Sequence, residues 1–185
     1  MNGIVLTHGA GSNADAPLLV ALAAAFEAAG WLAVRYNLPY RQARPSGPPF
    51  PAHAAADRAG LAGAVAQMRA SVDGIVAVGG HSYGGRQASL LAAEQAGLID
   101  ALLLLSYPLH PPRKPQQLRT THFADWRTAA LFVHGTRDPF ASIEELLAAI
   151  ADIPARTRIM PIERAGHELK GVDAAAVAAA FLEIQ

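Results

Sequence analysis

Three side chains in this chain could carry out acyl transfer together: Ser82, Asp138 and His167, in that order along the sequence. A serine hydroxyl is a poor nucleophile until a neighbouring base takes its proton. An imidazole can be that base, and a carboxylate can fix its tautomer and stabilise its charged form. Ser82 sits in Ile75–Gly85, IVAVGGHSYGG, an apolar run that meets a glycine pair and passes into the helix-forming segment RQASLLAAEQAG. That pattern is strand, tight turn, helix. The turn forces the serine into an unfavourable backbone conformation, and only glycine fits beside it, hence Gly80 and Gly84.

Each partner follows a different apolar run. Asp138 comes shortly after Leu131–His134, within HGTRDPF, and His167 after Arg158–Ile162, within AGHELK. Asp100 and Glu163 compete for the acid's place. Asp100 precedes its strand and so belongs at the wrong end of the sheet, and Glu163 follows the same strand as the histidine. Asp138 is the better acid. The first apolar run ends in THGAGSN, whose glycines let backbone N–H groups face outward; Ala10 N–H and Tyr83 N–H would together hold the oxyanion of a tetrahedral intermediate. A phosphate-cradling turn is the competing reading. It does poorly, because neither G-x-G-x-x-G nor a Walker lysine is present.

Six short runs must position these groups: Ile4–Thr7, Leu32–Tyr36, Ile75–Val78, Ala101–Leu105, Leu131–His134 and Arg158–Ile162. Four are almost wholly apolar, as strands buried on both faces are. They alternate with segments of helical character, which implies an α/β three-layer sandwich with a mainly parallel sheet. Gly30 and Gly97 stand where helix C-caps are wanted. Ser142 with Glu145 forms a capping box opening Ile143–Ala151, and Asp173 caps Ala174–Leu182. Ligands of such sheets gather at the C-terminal strand ends, where all the candidate residues lie.

Composition narrows the function classes. The 185 residues suit one domain, 1–185, and 52% are hydrophobic against 16% charged, which excludes disorder. Fifteen basic residues balance fifteen acidic ones, so no net field favours nucleic acid or an anionic membrane. Cysteine is absent, which removes disulfides, a thiolate nucleophile and cysteine-ligated metals. No metal or organic cofactor is expected. Neither a leader pattern nor a membrane-length apolar run is visible, so a cytoplasmic location is expected.

Two long loops border the predicted site. YNLPYRQARPSGPPFPAH is too rich in proline for a helix or central strand, and Arg41 and Arg44 read there as solvated charges. Ser106–Thr128 is too short and proline-broken for a cap domain; His110 and His122 within it read as exposed polar residues.

With these residues in hand, the chain resembles an α/β-hydrolase. More narrowly, it resembles the small bacterial hydrolases near the dienelactone hydrolases, whose relatives include testis-expressed protein 30 and the third subunit of the non-specific lethal chromatin complex. THGAGSN, GGHSYGGRQAS, HGTRDPF and AGHELK carry the resemblance. It implies six strands in the order 2-1-3-4-5-6, in a minimal fold without a cap or the extra antiparallel strands of larger members. It also implies a serine hydrolase cleaving a carboxylic ester or similar acyl bond of a small-molecule substrate. Dienelactone hydrolases use a cysteine nucleophile, so their substrate does not carry over to Ser82. A binding or scaffolding module of the same fold, and a thioesterase or peptidase with the same three residues, are the alternatives. The apolar surface is compatible with a homodimer.

Overall fold

A computed structural model describes residues 1–184. Six strands, β1 (Gly3–Thr7), β2 (Leu32–Tyr36), β3 (Val76–His81), β4 (Ala101–Leu105), β5 (Ala129–Gly135) and β6 (Thr157–Ile162), form one sheet in the order β2-β1-β3-β4-β5-β6. Every neighbouring pair is parallel. β3 extends to His81 and β5 to Gly135, beyond the apolar runs of the sequence, because their neighbours supply ladder partners: His81 pairs with Leu105 and Gly135 with Ile162.

Alternate strand residues feed two separate cores, as the period of two requires. Val5, Val78, Leu102, Leu104 and Phe132 pack with helices α3 (Ala54–Ser71), α4 (Tyr83–Glu94) and α5 (Ile143–Ile150). Ile4, Leu6, Leu103, Leu131 and Val133 pack with α1 (Pro17–Ala28) and α6 (Ala174–Leu182) on the other face. Three layers result. The four central strands are almost completely covered, whereas β2 and β6 lie at the edges, only partly buried, and carry Arg35, Arg158 and Pro161. Proline is tolerated at an edge, where a missing N–H need not interrupt a ladder on both sides.

Local chemistry sets the helix ends. The Ser142 hydroxyl accepts from Glu145 N–H at 3.1 Å while Glu145 Oε2 accepts from Ser142 N–H at 2.7 Å, a reciprocal box that opens α5. Asp173 Oδ1 accepts from Ala175 and Ala176 N–H and opens α6. Gly30, at φ +80°, lets Trp31 N–H reach Phe26 O at 3.0 Å and closes α1.

The proline-rich loop after β2 departs from the sequence expectation. It holds a short helix, α2 (Pro39–Ala43), and a 3₁₀ turn at Pro51–His53. Pro39 and Pro51 each stand at the first helical turn, where a backbone N–H has no intrahelical acceptor anyway, so proline starts these turns instead of breaking them. The segment 106–128 contains only a 3₁₀ turn, Phe123–Asp125, and no inserted domain; it folds back so that buried Tyr107 and Trp126 pack against Phe132, with buried Phe123 against both of them.

Candidate active site

The C-terminal ends of β1, β3, β5 and β6 deliver the predicted residues. Ser82 follows β3 directly, Ala10 lies just past β1, Asp138 just past β5, and His167 in the loop between β6 and α6. Ser82 has φ 48° and ψ −112°, a conformation that L residues rarely hold. Its N–H donates to Leu105 O at 2.8 Å, and Gly84 N–H donates to His8 O at 3.1 Å, which pins both arms of the turn. A Cβ at Gly84 would come within 2.6 Å of His8 O, and one at Gly80 would collide with the Gly84–Gly85 backbone. No other residue type fits at either place.

Ser82 Oγ lies 2.8 Å from His167 Nε2, and His167 Nδ1 lies 2.8 Å from Asp138 Oδ2. An ionised carboxylate only accepts, so Nδ1–H donates to Asp138, which leaves the Nε2 lone pair to accept from the serine hydroxyl. Phe140 N–H donates to the other Asp138 oxygen at 2.8 Å. Burial alone would raise the Asp138 carboxyl. The hydrogen bond and charge of His167, the Phe140 N–H and nearby His134 outweigh it and hold the carboxyl below its usual range.

No local pattern announces what fixes the imidazole from its other sides. Phe140 stacks on it with ring centroids 4.1 Å apart. His81 donates from Nε2 to the His167 carbonyl at 2.8 Å, and burial, foremost, lowers the pKa of His81. Asp100 lies at the opposite end of the sheet, accepting from Val76 N–H and pairing with Arg69, and Glu163 is exposed.

Ala10 N–H and Tyr83 N–H have no acceptor among the described residues, and both residues line the same cavity as Ser82. The orientation of Ala10 N–H follows from its own peptide. His8 Nδ1 (2.9 Å), the Tyr40 hydroxyl (3.1 Å) and Ser12 N–H (3.1 Å) converge on the Gly9 carbonyl. In a planar trans peptide the N–H points away from the carbonyl, so anchoring Gly9 O aims Ala10 N–H in the opposite direction. Leu38 N–H donates to His8 Nε2 at 3.1 Å, which fixes the His8 tautomer. Burial, chiefly, lowers the pKa of that ring.

Arg41 corrects the sequence reading. It is only 6% exposed, and its guanidinium donates to Ser12 O, Ala10 O, Arg44 O and Gly47 O at 2.7–3.1 Å. It therefore staples the Ala10 turn to the loop after α2. Arg44 is half-buried, donating to Pro48 O and lying over the Phe50 ring. Asp57, wholly buried, binds Tyr40 N–H and the Tyr83 hydroxyl, a link between α3, α2 and the serine turn that no local pattern announces. His110 and His122 are also buried, not exposed. His110 contacts Pro111 O and Glu145, and His122 contacts the Ser89 hydroxyl at 2.9 Å. Neither belongs to the Ser82 cluster, and no group of three or more metal-ligating side chains occurs among the described residues.

The cavity beside Ser82 has a volume of about 410 Å³ and is walled by the proline-rich segment 48–51, Pro108 and Phe140. No described helix is long and apolar enough to cross a membrane.

Solved structures similar to this chain share its architecture across nearly its full length. A dienelactone hydrolase from Anabaena variabilis is 23% identical, with a TM-score of 0.75 over 99% of this chain and 85% of that one. Est1E from Butyrivibrio proteoclasticus, solved with ferulic acid bound, is 18% identical, with a TM-score of 0.80 over 100% and 89%. A monoacylglycerol lipase from Paleococcus ferrophilus is 13% identical, with a TM-score of 0.78 over 99% and 95%. At these identities the likeness is one of fold. The model of the family described as "Alpha/beta hydrolase domain" matches residues 1–179, and the chain belongs to that family.

Proposed function

We propose that the protein is a serine hydrolase that cleaves a carboxylic ester through an acyl-enzyme intermediate, with Ser82 as nucleophile, His167 as general base and acid, and Asp138 as the orienting carboxylate. The observation that carries this reading is the continuous chain from Ser82 Oγ to His167 to Asp138, 2.8 Å at each link, beside two unbonded N–H groups. Ser82 Oγ attacks the carbonyl carbon while its proton passes to His167 Nε2. The carbonyl π electrons move onto oxygen, where Ala10 N–H and Tyr83 N–H receive the negative charge. As the intermediate collapses, His167 gives the proton to the departing alcohol. Water then attacks the acyl-enzyme by the same route, releasing the acid and restoring the serine. Asp138 stays ionised throughout and stabilises the imidazolium.

The family membership and the fold of esterases and a lipase among its structural neighbours support a hydrolase. The ester is chosen over an amide as the less demanding acyl bond for this apparatus. The test is labelling with a fluorescent fluorophosphonate together with hydrolysis of nitrophenyl esters. The parent protein should label and turn over, and Ser82→Ala should lose both while keeping its circular dichroism and melting behaviour. Undiminished turnover in Ser82→Ala would overturn the reading. A folded parent that does not label would favour a binding module on the same fold.

A further inference from the structure

The cavity beside Ser82 is rich in donors. Arg86 lies one helical turn past Ser82 on α4, its N–H bonded to Ser82 O at 3.0 Å, and it lines the cavity. Its Nε is buried and has no acceptor among the described residues. Arg35, Arg58, Arg69 and Arg158 all pair with carboxylates, and Arg86 has no such partner among the described residues. Arg119, on the same cavity, makes a single side-chain bond among the described residues, from Nη1 to Pro108 O at 3.2 Å. Gln87 is completely buried at the cavity wall; its Oε1 accepts from Arg58 at 3.1 Å, which orients the amide and leaves Nε2 without an acceptor.

Among the described residues, no aspartate or glutamate lines this cavity. The local field is correspondingly positive. Burial, then Arg86 and Arg58, push His122 down to about 4, and burial, then Arg86, lower Arg119. A partly buried guanidinium and a buried amide that lack protein acceptors carry an unmet demand for one, and two guanidiniums in one cavity repel each other until an anion is shared between them. Arginine's planar fork suits a carboxylate.

We propose that this cavity binds a carboxylate carried by the substrate itself, held chiefly by Arg86 with Arg119 and Gln87 beside it. The inference rests on the hydrolase reading above and names its substrate class: an ester that also bears a free carboxylate a few carbons from the scissile bond. The spacing follows from the helix. The Arg86 Cα lies about 6 Å along α4 from that of Ser82, so one short ligand can reach both side chains.

The experiment compares matched pairs. The nitrophenyl monoester of glutaric acid and its methyl-capped counterpart, nitrophenyl methyl glutarate, place the charge in the acyl half. The acetate esters of hydroxybenzoate and of methyl hydroxybenzoate place it in the alcohol half. In the parent protein the charged member of at least one pair should show a kcat/KM about ten-fold or more above its neutral partner, as a charge-assisted hydrogen bond provides. Which pair responds tells which half of the ester carries the anion. Arg86→Gln should bring that ratio close to one, mainly through KM, and Arg86→Lys should restore part of it. A parent ratio at or below one in both pairs overturns the proposal, as does a ratio that survives in Arg86→Gln and in Arg119→Gln.

Binding without chemistry separates this test from that of the hydrolase reading. In Ser82→Ala, calorimetry should detect monomethyl glutarate and show dimethyl glutarate at least about ten-fold weaker. Equal binding of the two, or none of either, overturns the carboxylate site whether or not the parent labels with fluorophosphonate. Selective binding with no labelling would leave the site standing and remove the hydrolase.

Discussion

Ser82 keeps its hydroxyl presented only by holding φ 48° and ψ −112°, in a turn closed by Gly80 and Gly84. Such conformations store about 1–3 kcal/mol. Ser82→Ala keeps the strain, because alanine has the same Cβ, whereas Ser82→Gly relieves it. We therefore expect Ser82→Gly to unfold at a higher denaturant concentration than Ser82→Ala, by on the order of 1 kcal/mol after the entropic penalty of glycine. Equal midpoints would show that the turn is not strained. This residue was readable from the sequence because the turn demands glycine at fixed offsets on both sides. Asp138 and His167 were readable from their position after strands, since a parallel sheet puts successive strand ends side by side. Arg41 and His122 were misread for the opposite reason: burial of a loop residue depends on what folds over it, and no local spacing reports that.

Among the elements, α2 and the loop after β1 act as one piece. Arg41 joins them through four backbone carbonyls, and Tyr40 touches the carbonyls of Gly9 and Ala10. A lysine has a flexible stem and one ammonium in place of a rigid fork, so it cannot reproduce this set. Arg41→Lys should lower stability by about 2–3 kcal/mol, since carbonyls in a partly buried setting lose their donors. It should also slow fluorophosphonate labelling of Ser82 by about ten-fold or more, because Ala10 N–H loses its aim. Chemical denaturation and labelling rates measure the two effects separately; normal labelling in the folded variant would detach Arg41 from the site. The strands themselves, the capping box of α5 and the Asp173 cap were legible because apolar runs and capping residues are local patterns, whereas the sheet order came from the resemblance to the α/β-hydrolases. Helix α2 was not. Its prolines look like breakers until the first helical turn is known to begin at Pro39.

Across the whole molecule, acid sensitivity is built into the buried histidines. His8, His81, His122 and His134 are each lowered from 6.5, foremost by burial, and His122 falls to about 4. Below the ordinary imidazole value the unfolded chain binds protons that the folded protein refuses, so stability falls as pH drops from 6.5 toward the folded values. Asp138 works in the same direction at lower pH. Its contribution is complete above the ordinary carboxylate value and is lost as pH falls through the depressed folded one. The thermal midpoint should drop by on the order of 5 °C between about pH 7 and about pH 5, and His122→Asn should flatten that slope. A flat profile in the parent would mean that these rings charge freely while folded.

The two edge strands have a further consequence, for the behaviour of many copies together. An open parallel sheet presents a row of unpaired backbone groups on each side, a template on which another chain can add a strand. On one side Arg35 turns its guanidinium to Ala14 O and Asp15, and on the other Pro161 interrupts the row while Arg158 reaches Glu183. Charge and a missing donor thus sit where a seventh strand would dock. Growth of the sheet from copy to copy is thereby disfavoured at both edges.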